Sequence, residues 1–142
     1  MKFKVLWLFL LAPLLAFSTV SYAEDEDADA ESLEDVRYLD IKPAVVTNYG
    51  GVGRMSYIKA EVSLQVGSQE DFQKVFHHFP SLRHSLVMLL GQQTDATIAA
   101  GAPREALRQQ VLAQMRAIME EEEEGGADMI DDVLFSAFFV QR

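Results

Sequence analysis

Ser56-Tyr57-Ile58-Lys59-Ala60-Glu61-Val62-Ser63-Leu64-Gln65-Val66 is the stretch that decides the fold. Ile58, Ala60, Val62, Leu64 and Val66 fall on one side of an extended chain, and Lys59, Glu61, Ser63 and Gln65 on the other. A helix repeats its apolar positions every three to four residues, so strict alternation belongs to a strand. One face of that strand meets the core and the other meets solvent. Upstream, Tyr38-Leu39-Asp40-Ile41 reads as extended, Pro43 marks an edge or bend, and Val45-Val46 continues extended to Asn48. Tyr49-Gly50-Gly51-Val52-Gly53 supplies a flexible turn, so the two extended stretches are expected as a hairpin.

Downstream the period changes. Ser68 offers a helix N-cap, with Asp71 three residues on as an approximate capping box. Phe72, Val75, Phe76 and Phe79 then form one apolar helical face. Pro80 breaks that pattern and suits the first turn of a second helix, which runs through Leu82, Leu86, Leu89 and Leu90 to Gly91. Gly101-Ala102-Pro103 starts a third, with Ala106/Leu107, Val111, Met115 and Ile118/Met119 as its buried stripe. Its end, Glu120 to Glu124, sets five carboxylates against the negative end of the helix dipole. That end is expected to fray unless a cation or a partner neutralises it.

Met129 to Gln141 closes the chain as a strand. Val133, Phe135, Ala137 and Phe139 fall on one face, and Leu134, Ser136, Phe138 and Val140 on the other. Both faces are largely apolar, which predicts a central strand covered on both sides, or one with a face reserved for another subunit. The expected fold is a single α+β domain in the order β-β-α-α-α-β.

The N-terminus carries a different message. Lys2 and Lys4 precede an apolar run from Val5 to Phe17, and Ser21-Tyr22-Ala23 fits a small-x-Ala cleavage pattern. Residues 1–23 are expected to be a secretory signal peptide, or a short anchor. Glu24 to Asp35 holds eight acidic residues and no basic one, the composition of a disordered linker. The domain proper is expected over 36–142. Removing residues 1–23 leaves 119 residues, in which 22 acidic and 10 basic side chains give a charge of −12. Such a surface repels nucleic acid and anionic headgroups over a Debye length of about 10 Å. The chain has no cysteine, which excludes disulfides, thiol catalysis and thiolate metal sites.

Chemistry-bearing patterns are sparse. His77 and His78 point about 100° apart on a helix, and Pro80 separates them from His84, so no shared metal site is expected. There is no G-x-S-x-G elbow, and Gly50-Gly51-Val52-Gly53 lacks the phosphate-loop Lys-Ser/Thr and the dinucleotide spacing. The reading is a non-enzyme with no cofactor. The residues that stand out are the interaction candidates Arg83, His84, Phe138 and Phe139. Arg83 starts an apolar helix, poised to pair with an acidic group or to project into solvent, and Phe138 and Phe139 supply aromatic area for core or interface.

Four segments, taken in order, resemble the FliL family of flagellar basal-body-associated proteins. They are Lys42-Pro43-Ala44-Val45-Val46-Thr47-Asn48, Arg54 to Val62, His78-Phe79-Pro80-Ser81-Leu82-Arg83-His84-Ser85-Leu86 through Leu90, and Asp132 to Gln141. The resemblance spans about Val36 to Gln141 and implies a fold similar to the stomatin/SPFH domain and a non-catalytic role. It also implies assembly into homo-oligomeric rings, and contact with the stator units of the motor in bacterial motility. By the same resemblance the protein lies in the periplasm, near the inner membrane at the basal body, and Arg83 and the Val133–Gln141 strand are family-pattern positions. The chain departs from the family twice: a signal-like segment stands where members carry a cytoplasmic tail and spanning helix, and His84 stands where they carry an acidic residue. The competing readings are an SPFH-like periplasmic scaffold or adaptor unrelated to flagella, and a metal-responsive domain using Glu120–Glu124 or the histidines.

Overall fold

The structure, a computed structural model, describes residues 36–50 and 56–142. The expected signal peptide, the acidic linker and most of the Gly50–Gly53 turn lie outside the described residues. In chain order come β1 (Arg37–Asp40), β2 (Val45–Tyr49), β3 (Ser56–Val66), α1 (Gln69–His77), α2 (Phe79–Gly91), α3 (Ala102–Glu122), a 3-10 turn (Gly126–Met129) and β4 (Asp132–Gln141). The α+β class therefore stands.

β3 is the spine. β2 and β1 both pair antiparallel with one of its edges, β2 along Ser56–Ala60 and β1 along Ser63–Val66, and β4 pairs antiparallel with the other edge. The extended stretch before the turn is thus two strands, interrupted at Ile41–Ala44 around a cis Lys42–Pro43 bond. The inward residues Ile58, Ala60, Leu64 and Val66 of β3 are completely buried, as the alternation requires. They meet Val75 of α1, Leu82, Leu86 and Leu90 of α2, and Val111, Met115 and Met119 of α3, all equally buried. Helices cover that face.

The helix starts follow local chemistry. Ser68 Oγ accepts the Asp71 amide at 3.0 Å, and its hydroxyl donates to the Asp71 carboxylate. Asp71 is too short to return to the Ser68 backbone as a longer Glu does, so it takes the hydroxyl instead. Pro80 and Pro103 sit in the first turns of α2 and α3, where a missing N–H costs nothing.

Three expectations are corrected. β4 is an edge strand, paired with β3 alone among the described strands, and not a central one. Its two faces also change hands midway. Val62 opposes Phe135 whereas Glu61 opposes Ala137, so Ser136 is an extra residue, a β-bulge. One extra residue inverts a period-two pattern. Val133 and Phe135 before the bulge, and Phe138 and Val140 after it, all point toward the core, while Leu134, Ala137 and Phe139 lie on the outer face. The third correction concerns the face expected over Phe72–Phe79, where Val75 of α1 is buried, Phe72 of α1 and Phe79 at the start of α2 pack partly, and Phe76 is 56% exposed.

Nor is the end of α3 loose. The helix continues to Glu122, and Glu123 turns back to meet His78. The Glu120 carboxylate accepts the Ala127 amide at 3.0 Å. A left-handed Gly125 (φ 69°) and a buried Gly126 then carry the chain against Met119. A hydrogen bond between Glu123 and His78 and the capping of a turn by Glu120 tie down the end that was expected to fray.

Candidate functional site

The four interaction candidates are not one cluster. Arg83, half-buried on α2, donates from Nη1 to the Pro43 carbonyl at 2.6 Å and so ties the helix layer to the β1–β2 interruption. Within this chain it pairs with a backbone oxygen rather than with an acidic group of its own domain. His84 beside it is exposed. Phe138 and Phe139 are separated by the sheet itself. Phe138 lies on the helix side, 4.5 Å beneath the Arg104 guanidinium and 5.2 Å from Phe135, a cation–π stack closing the core edge. Phe139 is 62% exposed on the opposite face.

Among the described residues no helix covers that opposite face. Strand register fixes its rows: Asn48–Tyr57–Gln141, Val46–Lys59–Phe139, then Glu61–Ala137, then Asp40–Ser63–Leu134, and Tyr38–Gln65–Asp132. Of the large apolar side chains left exposed, Tyr38, Val46, Tyr57, Leu134 and Phe139 all lie here. Asn48, Lys59, Glu61, Asp40 and Gln65 are interspersed among them, so the face is mixed apolar and charged. Between β1 and β2 the face opens into a recess lined by Asp40, Lys42, Ala44, Glu61, Ser63 and Ser136. There Ser63 donates to Asp40 at 2.7 Å and approaches Ser136 at 3.3 Å, and Lys42 pairs with Asp40 at 2.8 Å. Lys42 and the Ser63 hydroxyl together hold the Asp40 carboxyl below its ordinary range.

The remaining polar contacts are clamps. Arg108 of α3 binds Glu105 within its helix and reaches Asp132 and the Val133 carbonyl at the entry to β4. Hydrogen bonds from Arg108 and Gln109 lower Glu105 to about 2. Arg116 donates to the Ile130 and Asp131 carbonyls at 2.8 and 3.0 Å. At the far end, the Tyr49 hydroxyl and Arg142 both donate to Asp95, at 2.8 and 3.0 Å, and lower its carboxyl. Sequence reasoning missed the Tyr49–Asp95–Arg142 and Ser63–Asp40–Ser136 groups because their members lie far apart in the chain and carry no spacing signal. Among the described residues no three His, Asp or Glu side chains converge as metal ligands, and no helix is long and apolar enough to cross a membrane.

The described residues define a small α+β domain, helices on one face of a four-stranded antiparallel sheet and five large exposed apolar side chains on the other. Residues 38–141 match the model of the flagellar basal body-associated protein FliL, and the chain belongs to that family. It is thereby a flagellar basal-body-associated protein. No curated protein matches the chain. The family match begins and ends with the sheet, from β1 to β4, so it takes in every element described above.

Proposed function

We propose that this protein is a non-catalytic component of the flagellar motor that self-assembles beside the stator units and supports them on the periplasmic side of the inner membrane. The observation that carries the reading is the family match over residues 38–141, the whole sheet-and-helix domain. Two features support it further. The polar side chains with strong partners are spent on holding α2, α3 and β4 in place. The apolar side chains left over are gathered on one sheet face, the disposition of a domain that works by contact. The signal-like residues 1–23 supply export, after which the domain reaches the motor through protein contacts.

The test is deletion of the gene with measurement of swimming and swarming, combined with in-cell crosslinking to stator components. Reduced motility and a stator crosslink are expected. Unchanged motility with no stator crosslink refutes the reading. Mass spectrometry of periplasmic and membrane fractions decides tethering: a mature N-terminus at Glu24 gives a periplasmic factor, an intact Met1 an anchored one.

A further inference from the structure

We propose that the sheet face opposite the described helices is the contact of a two-fold dimer, with a second copy of this chain stacked sheet on sheet and its β3 running antiparallel to the first. The occupant follows from how the face complements itself. Lys59 and Glu61 are adjacent outward positions on the central strand. A two-fold axis lying across the strands between their rows sets Lys59 of each copy over Glu61 of the other. Such an isologous contact uses the same patch twice, so each complementary pair occurs twice.

Shape agrees with charge around the same axis. On the β4 side the axis sets Phe139, 62% exposed, over Ala137 of the second copy. One row further out, Tyr57 stands over Ser63, again a large side chain over a small one. On the β2 side, Val46, 59% exposed, arrives where the second copy has its recess between β1 and β2, beside Ala44 and Glu61. Large residues meeting small ones let two sheets interdigitate at the ordinary spacing of about 10 Å. A bulge at Ser136 is what makes this possible, since without it Phe139 would point into the core and Phe138 outward.

Area sets the strength. β3 spans 11 residues, and the face is at most three strands wide and narrows to two beside Glu61, giving no more than about 35 Å by about 14 Å, or roughly 500 Å² in projection. Stable complexes bury about 800 Å² per partner, so the contact is smaller than that of a permanent dimer and is expected to dissociate on dilution. An anionic membrane is a poor alternative occupant for a domain of this acidity. The contact closes on two copies and is distinct from the head-to-tail contact that a ring requires. It rests on the sheet surface alone, so it stands or falls separately from the role at the motor.

Sedimentation equilibrium of the mature chain is expected to show a monomer–dimer equilibrium. Phe139→Lys places a second cation beside Lys59 and is expected to weaken dimerisation at least about tenfold. Lys59→Glu alone weakens it similarly, and the double exchange Lys59→Glu with Glu61→Lys restores it, a rescue that a merely misfolded variant cannot show. Because the native chain has no cysteine, mixing Lys59→Cys and Glu61→Cys chains with an added oxidant such as copper phenanthroline gives a selective readout, and a mixed disulfide is expected. A monomer at all concentrations overturns the proposal. So does an oligomer indifferent to Phe139→Lys, or one that the charge exchange fails to restore.

Discussion

Replacing Gly126 by alanine is expected to be the most damaging single-methyl change in the domain's turns. A Cβ at Gly126 would lie 1.9 Å from the Met119 carbonyl oxygen, 2.3 Å from its carbon and 2.8 Å from the Glu120 nitrogen, all backbone atoms. Ordinary contact begins at 3.4 Å, so the turn must retreat by about 1.5 Å from the end of α3. That movement breaks Gly126 N–H to Glu123 O (3.0 Å), Asp128 N–H to Gly125 O (3.2 Å) and Ala127 N–H to the Glu120 carboxylate (3.0 Å). At about 1 kcal/mol each the loss is about 3 kcal/mol, a large share of the ~5–15 kcal/mol that holds a domain together. For a domain of this size that lowers Tm by about 15 °C. Gly125→Ala is the internal control. It keeps a positive φ of 69° but has open space around its Cβ, so it should cost only the left-handed strain of about 1 kcal/mol. Thermal unfolding followed by circular dichroism measures both. If Gly126→Ala proves no worse than Gly125→Ala, the close approach of the turn to α3 is refuted.

Deleting Ser136 should be tolerated, because it restores plain alternation with Val133, Phe135, Phe138 and Val140 still inward. Deleting Leu134 puts Val133 and Phe135 on opposite faces and should abolish cooperative unfolding, as read in denaturant melts. Leu64→Ala, at a completely buried position between β1 and β4, should cost about 3–5 kcal/mol in the same melts. Arg83→Ala removes the 2.6 Å bond to Pro43 and should cost about 1 kcal/mol with little change in helix content. Glu105 has a folded value of about 2 against 4.5 unpaired, so its pairing stabilises above about pH 4.5 and is lost as pH falls toward 2. Tm should therefore drop through that acid window in the wild type, and by less in Glu105→Gln.

The sequence by itself determined the α+β class, the three helices and the family, but merged the first two strands into one. Alternation from Ile58 to Val66 required a half-buried strand, Ser68, Pro80 and Pro103 marked helix starts, and Leu82, Leu86 and Leu90 marked a buried stripe, all signals carried by neighbours within a turn or two. What the tertiary structure alone decided is where those elements sit beside one another. Two apolar faces on β4 looked like central burial, yet β4 is an edge, because its own pattern cannot reveal how many strands flank it. The bulge at Ser136 is visible only as a register shift against β3, and it decides that Phe138 stacks under Arg104 while Phe139 faces outward. Arg83 found a carbonyl 40 residues away, and the carboxylate run after α3 found His78 across 45 residues; neither partner leaves a trace in local spacing. Local periodicity encodes which side of an element is apolar. Whether that side meets helices, strands or another copy depends on contacts between residues distant in the chain, which only folding brings together.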